Sequence, residues 1–112
     1  MTGVIYKIVP ATLWFAAVEQ RRFSGSSVDL EDGFIHLSTA AQVRATAKRH
    51  FAGATDLVLV AVSTAGLELR WEPSRGGDLF PHLYDPLPVS AAKWVKPLPL
   101  GADGHHQFPD LD

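Results

Sequence analysis

Leu57-Val58-Leu59-Val60-Ala61-Val62 is an unbroken apolar run, and nothing else in the chain constrains the fold as strongly. A strand that is apolar on both sides must be covered on both sides, so it belongs at the centre of a sheet. With 112 residues to work with, the chain has room for one domain and one core. The expected domain is residues 1–112, with its core over about 4–98 and a polar, loosely ordered tail from Gly101 to Asp112. Val4-Ile5-Tyr6-Lys7-Ile8-Val9, stopped by Pro10, reads as the first strand. Leu67 to Glu72 alternates apolar and charged residues. It reads as a strand with one solvated face, and as the hairpin partner of the central strand across Ala65-Gly66. Ala91 to Val95 reads as the last strand.

Two helices are expected. Pro10 suits the start of one, with Trp14, Ala17 and Val18 on its inner face and Leu13 beside them. Thr39-Ala40-Ala41-Gln42 has the spacing of a capping box and opens the second, whose inner face carries Ala40, Val43, Ala47 and Phe51. Between them, Phe23 to Gly33 is rich in Ser, Gly and Asp and reads as a long loop. Strands in runs with few helices predict an α+β fold with a mainly antiparallel sheet.

Composition narrows the function classes. The chain has no cysteine, which excludes disulfides, thiolate metal sites and cysteine nucleophiles. A formal net charge of −2 provides no field for non-specific nucleic-acid binding. The first residues lack a charged segment followed by an apolar one, and no apolar run nears the roughly 20 residues that span a bilayer. A cytoplasmic location and no membrane partner are expected.

Two histidine blocks carry the candidate chemistry. In Gly33-Phe34-Ile35-His36-Leu37-Ser38-Thr39, strand geometry puts Phe34, His36 and Ser38 on one face, just ahead of a helix N-terminus that can hold an anion. The plainer reading of His36 is a half-buried residue capping a loop. In Leu79-Phe80-Pro81-His82-Leu83-Tyr84-Asp85-Pro86, two prolines stiffen a segment presenting His82 and Tyr84, as a binding wall would. The plainer reading there is a turn with His82 exposed. Glu72 closes its strand beside Trp71, either as a perturbed carboxylate or as a last solvated charge. Lys7 either lines a site as an anion partner or snorkels from an edge strand. A metal site of His36, His82 and Glu72 ranks last, because no H-x-x-x-H or H-E-x-x-H spacing occurs and no metal is expected.

The blocks Ile5-Tyr6-Lys7-Ile8, Asp32-Gly33-Phe34-Ile35-His36-Leu37-Ser38 and Phe80-Pro81-His82-Leu83-Tyr84 resemble those of an uncharacterised bacterial family of small proteins. That family is similar in fold to the ADP-ribosyltransferase superfamily, which includes RNA 2′-phosphotransferases. The resemblance implies a small split sheet enclosing a cleft that takes NAD, ADP-ribose or a related nucleotide, with NAD as a substrate. It implies Lys7 and the N–H groups near Ser38 and Thr39 holding phosphate or ribose. His36 and Tyr84 would position the nicotinamide side, and Glu72 or His82 would stabilise an oxocarbenium-like state. Lys7 stands where the family usually has His, and Asp85 where it usually has Gly. The alternative is a non-catalytic module that keeps the cleft and binds a small ligand.

Overall fold

The computed structural model describes residues 3–111. Its first sheet is built on the apolar run. Strand β4 (Leu57–Ser63) lies between β1 (Val4–Pro10) and β8 (Ala92–Pro97), antiparallel to both. Alternation divides its side chains between two cores. Val58, Val60 and Val62 join Ile5, Val9, Trp14 and Phe23 on one face. Leu57, Leu59 and Ala61 join Tyr6, Ile8, Val43 and Ala47 on the other. The strand is therefore buried on both sides, as its unbroken apolar sequence requires.

Helix α1 (Ala11–Gln20) turns only a narrow stripe, Trp14 and Ala17, onto the first core. Val18 and Leu13, expected inside, are largely exposed at 46% and 39%. Helix α3 (Ala40–His50) covers the second core through Val43 and Ala47, and the Gln42 side chain accepts the Thr39 N–H at 3.0 Å at its start. The segment read as a loop starts at the end of a short strand, β2 (Arg22–Phe23), and holds a third helix, α2 (Ser27–Asp32). The two longer helices are those the periodicity indicates. A six-residue helix is too short to show an apolar period, so its composition resembled a turn.

Strand β5 (Leu69–Pro73) does not pair with β4. Both edges of β4 are already occupied by β1 and β8, so the chain leaves the first sheet through a turn closed by Leu67 N–H to Thr64 O at 3.1 Å. It then builds a second antiparallel sheet, β3 (Ile35–His36), β6 (Leu79–Leu83) and β5, in that order. The two sheets meet where Tyr6 and Ser38 exchange backbone hydrogen bonds of 2.7 and 2.9 Å. Strand β7 (Leu87–Pro88) pairs with β2. Among the described residues the result is an α+β arrangement of three α-helices and mainly antiparallel sheets.

The expected loose tail makes definite contacts. Phe108 and Leu111 pack on the second core, and His106 Nε2 donates to Ala54 O at 2.9 Å. Phe108 and Leu111 thereby add to the cover that α3 gives that face.

Candidate functional site

The chemistry gathers on one face of the second sheet. Strand alternation sends Ile35 and Leu83 into the first core, so their neighbours His36 and His82 point the other way. The two histidines are direct cross-strand partners, and their rings meet edge to face with centroids 5.5 Å apart. Phe34 stacks beside both, 4.5 Å from His36 and 4.2 Å from His82, and 5.1 Å from Tyr84. His82 is buried on a strand, not exposed on a turn.

Each histidine has its own carboxylate. His82 Nδ1 lies 2.7 Å from Glu72 Oε1, which also accepts the Tyr84 hydroxyl at 2.8 Å. The Glu72 carboxylate can only accept, so His82 Nδ1 is the donor in that bond. The hydrogen bonds from His82 and Tyr84 hold the Glu72 carboxyl below its usual range. The same bond to Glu72 pushes the Tyr84 phenol up. His36 sits between two carboxylates, with Nδ1 2.6 Å from Asp29 Oδ1 and Nε2 2.9 Å from Asp32 Oδ2. Both ring nitrogens of His36 are thus engaged by carboxylate oxygens.

Asp29 is the hub of the site, and nothing in the sequence analysis singles it out. It accepts the N–H groups of Ser26 at 2.9 Å and His36 at 3.1 Å, besides the His36 ring and Lys7 Nζ at 3.0 Å. Burial opposes its charge, but the His36 ring, the Lys7 ammonium and the two amides outweigh it and hold the carboxyl well below the usual range. A signal existed in Ser26-Ser27-Val28-Asp29, an S-x-x-D spacing that marks a helix start. The loop-like composition around it hid that signal.

Lys7 neither snorkels nor lines an open site. In β1 it shares a face with Ile5 and Val9, so alternation drives it into the first core, where it is only 6% exposed. Burial pushes its ammonium down, and Asp29 opposes this by supplying the counter-charge. Ser38 and Thr39 also stand apart from the histidines. Ser38 is buried with its hydroxyl 2.9 Å from that of Thr46. Thr39 lines a separate groove of about 370 Å³, with Val4, Ile5, Leu69 and Trp71. Leu69 and Trp71 alternate with Arg70 and Glu72 along β5, so this larger groove opens on the opposite face from the histidine pair. A smaller pocket of about 140 Å³ does adjoin the site and is lined by Asp29, Leu30, Phe34, Tyr84 and Asp85. Of the expected residues, the fold thus brings together His36, His82, Glu72 and Tyr84, adds Asp29, Asp32 and Phe34, and keeps Ser38 and Thr39 elsewhere. Among the described residues, no group of three or more His, Asp or Glu side chains converges to hold a metal ion.

Fold and site together define an α+β protein with paired histidine–carboxylate dyads around a shared aromatic ring. The model of the family described as protein of unknown function (DUF952) matches residues 8–95, and the chain belongs to that family. It is similar to protein CC0527 from Caulobacter crescentus. The crystal structure of that protein is 52% identical over 93% of each chain, with a TM-score of 0.88. Its solution NMR structure is also 52% identical, over 93% of this chain and 91% of that one, with a TM-score of 0.83. No curated protein matches the chain.

Proposed function

We propose that the face carrying Phe34, His36, Glu72, His82 and Tyr84 binds NAD, ADP-ribose or a related nucleotide, in a fold of the ADP-ribosyltransferase type. The observation that carries this reading is the His36–His82 pair, each ring backed by its own carboxylate and both in tilted contact with Phe34. Aromatic faces suit a flat heterocycle, and an ionised carboxylate beside them suits a ligand that becomes cationic. In the reaction, the bond between ribose C1′ and the nicotinamide nitrogen breaks and its electron pair leaves with nicotinamide. Glu72, kept ionised by His82 and Tyr84, stabilises the oxocarbenium-like carbon. His82 Nε2 accepts the proton of the incoming hydroxyl nucleophile, whose oxygen forms the new bond to C1′.

The test is calorimetric titration with NAD and ADP-ribose, paired with chromatographic assay of nicotinamide release. Binding to the wild type, weakened by His36→Ala, is expected. Glu72→Gln should lower turnover by about 10²–10³-fold with little change in binding. Failure of the wild type to bind either ligand at millimolar concentration overturns the reading.

One observation favours a second reading, a binding module without turnover. Lys7 is locked in its ion pair with Asp29, and the start of α3 faces the other groove, so the expected phosphate cradle is not on this face. That reading gives ligand-dependent thermal stabilisation with no product.

A further inference from the structure

The cation first expected to hold a ligand phosphate, Lys7, is committed elsewhere, which raises the question of what replaces it. Lys7 is buried against Asp29, and His36 is flanked by Asp29 and Asp32. We propose that Arg70 is the anion-binding residue of this face, and that it takes a phosphate or diphosphate group. This assignment deepens the nucleotide reading above and rests on it for the identity of the ligand.

Three features of the fold support it. The sheet registers place Arg70 opposite His82, and His82 opposite His36, so the three form one cross-strand row. Strands lie about 4.8 Å apart, so the row runs about 10 Å, enough to hold an anion at one end and a ring at the other. Second, among the described residues no carboxylate forms an ion pair with Arg70, in contrast to Lys7, His36 and His82, and its nearest charge influence is Glu72 on the same strand face. Third, its guanidinium is held over the Tyr84 ring, 4.9 Å from the centroid. A guanidinium resting on an aromatic ring can still bind phosphate oxygens in pairs through its N–H edge. Tyr84 in turn bonds to Glu72, and Glu72 to His82, so the anion site is wired directly to the proposed reacting groups.

The obvious competing reading is a surface arginine resting on an aromatic ring, with no ligand. Calorimetric titrations at low salt separate the two. The probes are inorganic pyrophosphate, ADP-ribose and adenosine. The proteins are the wild type, Arg70→Gln, Arg70→Lys, and Lys93→Gln, which removes one exposed charge from the other sheet. The expected result is pyrophosphate and ADP-ribose binding weakened at least tenfold by Arg70→Gln and only partly restored by Arg70→Lys. Adenosine should be indifferent to all variants, and Lys93→Gln should behave as the wild type. Pyrophosphate that does not bind the wild type, or binds Arg70→Gln equally well, overturns the assignment. So does an equal loss in Lys93→Gln, which marks general electrostatics. If pyrophosphate binds through Arg70 while ADP-ribose does not bind, the anion site stands and the nucleotide reading falls. If ADP-ribose binds the wild type and Arg70→Gln alike, the nucleotide reading stands and the Arg70 assignment falls.

Discussion

Asp29 shows how much of this site hangs on one buried charge. Removing it leaves Lys7 in the core without a partner and His36 without its main acceptor. Asp29→Asn is therefore expected to cost about 3–5 kcal/mol in urea denaturation. The double variant Lys7→Met/Asp29→Asn should recover part of that loss, because it removes both charges instead of stranding one. The pH dependence has a definite sign. The carboxyl of Asp29 is held below its unfolded range, so its stabilisation is complete above that range and is lost as pH falls. The wild type should lose stability as pH drops below about 4, and Asp29→Asn should show a shallower slope there. Tyr84 offers a spectroscopic readout of the other dyad. The chain has two tyrosines and Tyr6 is buried, so an ultraviolet difference titration reads mainly Tyr84. Its ionisation should lie above that of a free phenol and move back down in Glu72→Gln.

At the scale of elements, α2 sets the position of that charge. The helix is only six residues long, and its entry is fixed by Gly25 at φ +122°. A Cβ placed at Gly25 would lie 2.8 Å from the Asp29 Cβ, in a backbone conformation that side-chain-bearing residues avoid. Gly25→Ala is expected to cost about 1–3 kcal/mol by chemical denaturation. It should also shift the His36 ring resonances, because the strain is relieved by moving Asp29. A change in stability without any change at His36 would mean that α2 adjusts independently of the site. Strand β5 gives the complementary case. Its alternation assigns Arg70 and Glu72 to the site and Leu69 and Trp71 to the far groove, so one strand serves two unlike surfaces.

At the scale of the whole molecule, the two cores on either side of β4 are closed by different parts of the chain. The first is covered by α1 and the second sheet, the second by α3 and the C-terminal segment. Phe108 lies partly buried there, with Arg44 over its ring at 5.2 Å. Phe108→Ala should cost about 1–3 kcal/mol in thermal or urea unfolding, less than a fully buried phenylalanine. It should leave the resonances of His36 and His82 unmoved, since the second core lies on the opposite side of the first sheet.

Much of this architecture is written locally. The apolar run of β4 requires a central position, the alternation of β5 separates its two faces, and Thr39 with Gln42 marks the start of α3. The same alternation places His36 and His82 away from the core once their segments are strands. These are short-range consequences of backbone period and capping, and they are legible without neighbours. Pairing is different. That β5 joins β6 instead of β4 follows from which edges of β4 are free, and no local pattern encodes that competition. The partner of Lys7 is likewise invisible in sequence, since Asp29 reaches it only because β1, α2 and β3 converge in space. The sequence by itself determined a central strand, a mainly antiparallel α+β fold and two histidine blocks. Only the tertiary structure decided that the blocks share one face, that Ser38 and Thr39 are excluded from it, and that a buried aspartate holds Lys7, because those outcomes depend on long-range packing and on the cost of burying charge.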